Sequence, residues 1–483
     1  MHPSRDESAQ LYDRHFTEMM RQTGAALRAC GYDALLLHSG TAPTLFQDDQ
    51  TYPFRAQAAF KLWVPLVDAP DCFLYLEPGA PAVLVFHQPP GFWNKAADPP
   101  EEDWTSHFEL RLAGDRAAAR RALPASLART AFIGEPFPEL SGFGLAAINP
   151  ARLIARLHFA RARKTPWQIE CLRRGSRGAA HAHLAAAHAF RSGGSEFAIE
   201  LAFLAACGLR EQELPYNPIV ALNENGAALH YQMLARTPPA GHHSLLIDAG
   251  TEFSGLATDV TRTHCARDPD FTALIAAMDT LQQRLCTHVR PGLDWRALHL
   301  LAHRLIAELL RDAGIIRSHS EEALESGLST VFFPHGVGHL LGLQVHDVGG
   351  TMLSPEGGEI ERPPGHPHLR LTRVLEEEWV VTVEPGIYFI DELLAAARNP
   401  PFGRHINWSR VEALRRFGGI RIEDDLVVTR TGHENLTRDA FRAAAAPALS
   451  AWPAGRGSPE AAIPTSSAEE LVSRGARAAS SGD

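Results

Sequence analysis

Short apolar runs separated by Gly, Pro or Asp set the pattern of the first third of the chain. Ala34-Leu35-Leu36-Leu37, Cys72-Phe73-Leu74-Tyr75-Leu76, Val83-Leu84-Val85-Phe86 and Ala131-Phe132-Ile133 are long enough for strands and too short for helices. An amphipathic stretch precedes the first, so the pattern predicts an α/β domain around a half-buried sheet. The pattern changes near residue 160. Thr165-Pro166-Trp167-Gln168 combines a capping threonine, a first-turn proline and a glutamine three residues on, the start signal of a new helix. The charged run Arg161-Ala162-Arg163-Lys164 before it reads as an exposed linker. Beyond it the periods lengthen. Leu298, Leu301, Leu305 and Leu309 recur on one helical face, with Asp294 to cap the start and Gly314 to stop the end. Runs at 244–248, 380–383 and 420–428 predict strands between such helices. The expectation is an N-terminal domain over 1–160 and an α+β region over 165–440, with strands around a core site and helices outside. From about Ala443 the chain is rich in Ala, Ser, Pro and Gly, with almost no large apolar side chains. Such a segment buries too little surface to offset chain entropy, so 443–483 is expected to be mostly disordered.

Composition narrows the function. The chain has 483 residues, of which 45% are hydrophobic and 21% charged, enough for two or three globular domains and incompatible with a disordered or collagenous protein. Lys and Arg number 46 against 56 Asp and Glu, a formal net charge of −10. That balance argues against nucleic acid or an anionic membrane as partner, since both need a basic surface. No apolar run approaches the ~18 residues of a membrane span, and Met1-His-Pro-Ser-Arg-Asp-Glu leads into no secretory h-region. Six cysteines lie far apart with no CxxC pair, which reads as scattered thiols in a reducing cytoplasm. The 24 histidines prompt a search for a metal site.

Four segments of the second region carry the chemistry. Leu245-Leu246-Ile247-Asp248-Ala249-Gly250 ends an apolar strand on an acid. Asp259, in Thr258-Asp259-Val260-Thr261-Arg262-Thr263, then lies on the expected return strand, where the two carboxylates would meet across a hairpin. Singly, each Asp is better read as capping a turn than as binding a cation. His335-Gly336-Val337-Gly338-His339 carries two glycines that argue against a helix and for backbone allowing close approach of a metal or substrate. A third histidine, His346, follows in the strand-like run Leu343-Gln344-Val345-His346-Asp347. Val380-Val381-Thr382-Val383-Glu384-Pro385-Gly386 and Gly419-Ile420-Arg421-Ile422-Glu423 place further acids at strand ends, where burial is costly unless the acid is paired or holds a cation. Together, two Asp, two Glu and one His form the hard ligand set of a dinuclear divalent site. Four carboxylates balance two M²⁺ ions and leave room for a hydroxide nucleophile. Oxygen-rich ligation with one imidazole favours Mn²⁺ or Co²⁺ over Zn²⁺.

The order Asp, Asp, His, Glu, Glu in the contexts IDAG, TDVTRT, HGVGH, VEPG and RIEDD resembles the pita-bread metallopeptidases, which include aminopeptidase P, prolidase, methionine aminopeptidase and creatinase. Within that family the chain is most similar to the bacterial prolidases, the Xaa-Pro dipeptidases grouped with the organophosphorus acid anhydrolases. Tyr52-Pro53-Phe54, Phe60-Lys61-Leu62-Trp63, Pro90-Gly91-Phe92-Trp93, Leu229-His230-Tyr231, Gly342-Leu343-Gln344 and Gly386-Ile387-Tyr388-Phe389 carry this likeness, which runs from about 10 to 440. It implies a creatinase-like α/β domain followed by a pita-bread catalytic domain, with two divalent ions per subunit, Mn²⁺ first and Co²⁺ or Zn²⁺ as alternatives. By matching position, Asp248 and Asp259 hold one metal, His339 and Glu384 complete the shell of the second, and Asp259 and Glu423 bridge. Glu384 is then the general base, while His230, His335 and His346 orient the scissile carbonyl and stabilise its oxyanion. Arg370 receives the substrate carboxylate, and Arg421 lies beside Glu423. Tyr216 and Phe92-Trp93 wall the pocket, the latter pair reaching across a homodimer. The implied reaction is hydrolysis of Xaa-Pro dipeptides, with organophosphate triesters as a side substrate. Aminopeptidase P activity on longer peptides and a metal-free binding module are the alternatives. One departure is Glu376-Glu377-Glu378-Trp379, where the family usually has a Pro-Gly turn.

Overall fold

The periodic stretch ahead of the first strand folds as the helix Arg5–Cys30, which lays Tyr12, Met19, Ala26 and Leu27 on the core. Against it stands a mixed six-stranded sheet in the order Phe108–Ala113, Ala82–His87, Phe73–Leu76, Ala34–His38, Thr130–Ile133 and Ala147–Ile148. Ala34–His38 pairs antiparallel with Phe73–Leu76 and parallel with Thr130–Ile133. This computed structural model describes residues 5–92, 95 and 97–445. In it the central strands are buried on both faces rather than half-buried. Leu35, Leu37, Leu74 and Leu84 face one core, while Leu36, Phe73, Tyr75, Val83 and Val85 face another. Near-continuous apolar runs are what such double coverage requires. The first of these cores also takes in Trp167, Leu172, Leu256 and Leu341 from the second region, so the two regions share apolar packing.

The charged run at 161–164 is therefore not an exposed linker. Lys164 is 1% exposed, and its ammonium donates to Asp347 Oδ2 at 3.0 Å and to the Arg161 carbonyl at 2.9 Å. The Arg161 guanidinium reaches the other oxygen of Asp347. Burial alone would raise the Asp347 carboxyl, but the two cations together hold it below the usual range. Its contribution to stability is thus complete above the ordinary carboxylate range and is lost as pH falls through the lowered folded value. Asp347→Asn keeps both cations and removes their counter-charge, so a loss of about 3–5 kcal/mol in denaturant unfolding is expected. A change under ~1 kcal/mol would mean that solvent screens the group as at a surface.

The second region opens with the helix Pro166–Arg191, started by the expected capping box. The helix Trp295–Asp312 is likewise capped by Asp294, whose side chain accepts from the Arg296 N–H, and Gly314 follows its end at φ +70°. Helices surround two antiparallel sheets and a ribbon. Thr261–Cys265, Ser244–Asp248 and Ile219–Leu222 form the first sheet; Val380–Val383, Asp424–Val428 and His433–Asn435 form the second. Gly386–Tyr388 pairs with Gly419–Arg421 in the ribbon. The run at 420–428 is therefore two strands, broken at Ile422-Glu423. Its partner breaks alongside, at Glu384-Pro385, where proline has no N–H for a ladder and its carbonyl accepts from Ile422. Each break carries an acid.

Other expectations shift by a few residues or change type. Leu343–Asp347 forms bends and no strand, and the last helix, Leu436–Ala445, runs past Ala443. The rest of the expected tail, 446–483, lies outside the described residues, as does Trp93. Glu378 takes φ +66° at the turn where a Pro-Gly pair was the family pattern, so the turn survives without its glycine. All six cysteines are free thiols. Among the described residues no helix is long and apolar enough to cross a membrane.

Candidate active site

Asp248 ends the middle strand of the first sheet, in register with Thr261 on one side and Ile219 on the other. Asp259 does not lie on the return strand but two residues before it, after a small hairpin of Glu252–Phe253 and Leu256–Ala257. Gly250 makes this detour possible. A Cβ there would stand 1.8 Å from the Thr258 carbonyl oxygen, so any other residue would push the Asp259 segment away. The Asp259 N–H donates to Asp425 Oδ2 at 3.1 Å, and Tyr216 Oη lies 2.7 Å from Asp248 Oδ1 and 2.6 Å from Asp259 Oδ1.

The histidine segment docks on the second sheet. The Thr382 N–H donates to the His339 carbonyl and the Glu384 N–H to that of Val337, which brings His339 beside Glu384. Gly338 permits it, because a Cβ there would meet the Thr382 carbonyl oxygen at 2.0 Å. The glycine thus serves backbone packing rather than approach of a ligand. His339 Nδ1–H is directed to the Leu340 carbonyl at 2.9 Å, leaving Nε2 as the lone pair. That nitrogen lies 3.4 Å from both Asp259 Oδ2 and Glu384 Oε1. Glu423 completes the cluster from the strand break. Its Oε2 accepts from the Thr261 hydroxyl at 2.6 Å, while its buried Oε1 has no hydrogen-bond partner.

The electrostatics are those of a cation site. Asp259, His339 and Glu423 are all at most 5% exposed and offer ligand atoms within 4.8 Å of one another. Burial, and then mutual repulsion among the acids, pushes Asp259, Glu384 and Glu423 above their ordinary carboxylate values. One guanidinium, Arg421, faces the group. A buried acid cluster with an orphaned oxygen and a free imidazole lone pair fits divalent metal, whose charge would offset the repulsion.

The substrate-side residues fall into two sets. Arg421 is fully engaged: Nη2 donates to Asp248 at 2.7 Å, Nε to Thr261 at 3.1 Å and Nη1 to Tyr388 at 2.8 Å. It therefore orients a ligand carboxylate, each of its three nitrogens making a bond within the protein. Tyr388 in turn donates to His335 Nε2 at 2.8 Å, and His335 Nδ1 points to the Gly336 carbonyl. His230, His346 and Arg370 line the same cavity of about 870 Å³ and, among the described residues, make no side-chain hydrogen bond or ion pair. Burial, then the neighbouring His339, pushes His346 down to about 3, so it stays neutral and can donate from N–H. Its ring stands edge-on to His339 at 4.5 Å. Tyr388, Thr261 and Asp425 are positioning groups that motif matching passed over, although all three sit inside the quoted motifs or two residues from one. The N-terminal region adds Arg55, Ala58 and Lys61 to the wall, Lys61 through a 3.2 Å ion pair with Glu252. No pattern in the sequence pointed to that pairing.

The family model for the Xaa-Pro dipeptidase N-terminal domain matches residues 10–159, and that for metallopeptidase family M24 matches residues 170–430. An Xaa-Pro dipeptidase from Stenotrophomonas maltophilia (strain K279a) is 45% identical over 435 residues, 90% of this chain and 98% of that protein. One from Shewanella oneidensis is 41% identical over 434 residues, 90% of this chain and 99% of the relative. Aminopeptidase P from E. coli with the inhibitor Pro-Leu superposes at TM-score 0.67, with 23% identity, over 91% of this chain and 96% of that one. Proline aminopeptidase P II from Yersinia pestis gives TM-score 0.66 at 24% identity, over 89% and 96% of the two chains. At these identities the likeness to the solved structures concerns the fold.

Proposed function

The chain belongs to metallopeptidase family M24, and on that premise we propose that its cavity hydrolyses Xaa-Pro dipeptides to an amino acid and free proline. The observation that carries this reading is Arg370, an unpaired guanidinium on the wall of a cavity whose floor is four carboxylates and a histidine. A dipeptide has one charge at each end. Its carboxylate suits Arg370 through two parallel charge-assisted hydrogen bonds, and its ammonium suits the acidic floor.

Asp248, Asp259, His339, Glu384 and Glu423 would hold two divalent ions. When bound, these ions polarise the scissile carbonyl and lower the pKa of a water nucleophile. Glu384 takes the proton from that water and returns it to the proline nitrogen as the C–N bond breaks and the new C–O bond is made. His346 and His230 line the cavity where the reacting carbonyl would sit, and an N–H donor there would stabilise developing negative charge. His335, locked between Tyr388 and Gly336, supports the wall of the site and reaches substrate only by exchanging one of those bonds. A nucleophile of this kind also attacks phosphorus, so neutral organophosphate triesters are a side substrate class for the same residues.

The oxygen-rich donor set supports Mn²⁺ as the working ion, ahead of Co²⁺ and Zn²⁺. Six free cysteines support a cytoplasmic protein, and the exposed Phe92 supports a homodimer contact, which sedimentation would check. The shared fold with aminopeptidase P favours one second reading, action on longer peptides. An Mn²⁺-loaded assay of Ala-Pro, Ala-Pro-amide, Ala-Pro-Ala and Ala-Ala decides between them. Ala-Pro is expected to exceed the amide and the tripeptide by roughly 10²-fold in kcat/KM, the worth of a charged hydrogen-bonded contact. Equal or faster cleavage of the tripeptide would replace dipeptidase by aminopeptidase.

A further inference from the structure

The inward face of Trp295–Asp312 carries two histidines one helical turn apart, outside the acidic cluster. His299 and His303 are 1% and 0% exposed. His366, half-buried on the loop that runs into Arg370, leans onto both. The three ring centroids lie 4.6 Å (His299–His303), 4.6 Å (His299–His366) and 4.5 Å (His303–His366) apart. Phe333 separates this trio from the active site, with its ring 4.8 Å from His303 and 4.8 Å from His335.

The nitrogens of the trio are poorly served by the protein. His303 Nδ1 bonds Ser329 Oγ at 2.9 Å, which leaves Nε2 buried without a partner. His299 Nε2 meets His366 Nδ1 at 2.9 Å, and His299 Nδ1 has no partner either. Buried polar nitrogens are normally satisfied, so the orphaned His303 Nε2 beside two other imidazoles needs a cause. Helical histidines at i and i+4 converge on one cation in zinc hydrolases, and a hydrogen bond from the far nitrogen of a ligand histidine fixes its tautomer. Ser329 stands in that role for His303. Ligand atoms from all three residues already lie within 4.8 Å of one another. Tetrahedral Zn–N bonds of ~2.0–2.1 Å separate neighbouring nitrogens by ~3.3 Å, so the His299–His366 pair needs to open by only a few tenths of an ångström.

We propose that His299, His303 and His366 form a third cation site, distinct from the dinuclear centre, which takes Zn²⁺ or another imidazole-preferring divalent ion and pins the loop carrying Arg370. An all-imidazole donor set selects against the Mn²⁺ that suits the carboxylates. The site stands without the proposed reaction; only its effect on the Arg370 loop rests on that reading.

The test is a metal count. Full-length protein loaded with Mn²⁺ is equilibrated with excess Zn²⁺, desalted, and analysed for total metal per chain by plasma mass spectrometry. Wild type should retain three ions in total, and His366→Phe and His303→Asn two. Zn²⁺ should also raise the melting temperature of the Mn²⁺-loaded wild type by a few degrees and leave that of His366→Phe unchanged. His366 is half-buried on a loop, so its variant tests the site with little risk to the core. In Asp259→Asn the third ion should persist while the dinuclear count falls, which separates failure of this proposal from failure of the reaction assignment. Equal metal counts in Zn²⁺-saturated wild type and His366→Phe, whatever the count at the acidic centre, would overturn it.

Discussion

Glu423→Gln is expected to remove at least one metal ion per chain and to lower kcat for Xaa-Pro hydrolysis by roughly 10³-fold or more. Glu423 Oε1 is buried with no partner in the protein, and Oε2 is held only by the Thr261 hydroxyl. An amide keeps the shape and loses the charge that two cations require. A 10³-fold loss corresponds to ~4 kcal/mol of barrier, within the several kcal/mol that a Lewis-acid ion supplies. The same substitution should act in the opposite direction on the metal-free chain. Repulsion from Asp259, Glu384 and Asp248 adds to the burial that raises the Glu423 carboxyl, so removing its charge relieves strain among buried acids. Metal-free Glu423→Gln should therefore melt above metal-free wild type. A variant that keeps two ions and full turnover would remove Glu423 from the centre.

The second large effect is expected at the other end of the cavity. Arg370→Met should weaken Xaa-Pro hydrolysis by roughly 10²-fold, the range of a charged hydrogen-bonded contact at ~1.5–3 kcal/mol. The loss should fall on substrates that bear a free carboxylate, while neutral phosphotriesters lose much less. Arg370 pairs with no acid among the described residues, so little structural damage is expected to confuse the result. Steady-state kinetics on both substrate classes, with metal content measured on the same samples, separates the outcomes. An equal loss on both with metals retained would show that Arg370 serves the shared chemistry and not carboxylate recognition.

The reach and the failures of sequence reading have physical causes here. Alternating and periodic apolar positions marked the strands and long helices well, because the 2.0 and 3.6 repeats act locally. The Thr165 capping box and the Asp294 cap were legible for the same reason. Lys164 was not. A lysine in a charged run looks solvated, and only the fold brings Asp347, 183 residues away, to its side. The strand end at Glu384, just before Pro385, was legible, but the break at Glu423 was hidden, since the apolar run at 420–428 gives no sign of where the ladder stops. The short detour before Asp259 depends on Gly250, whose clash with Thr258 exists only in three dimensions. Motif order placed the five acid and imidazole candidates in one cluster. It could not see that Arg421 and His335 have their donors and acceptors already engaged, whereas His230, His346 and Arg370 do not. Nor did it notice His299, His303 and His366, because a helical HxxxH far from its third partner has no contiguous signature.

The most direct test of the central claim, that five side chains hold two ions that make the site hydrolytic, is a coupled metal and activity titration. Chelated protein is rebuilt with Mn²⁺ in steps, and metal per chain and Ala-Pro hydrolysis are read on each sample. Activity should be absent without metal and should rise to its full value with the second equivalent. Full turnover in a preparation carrying less than one ion per chain would contradict it.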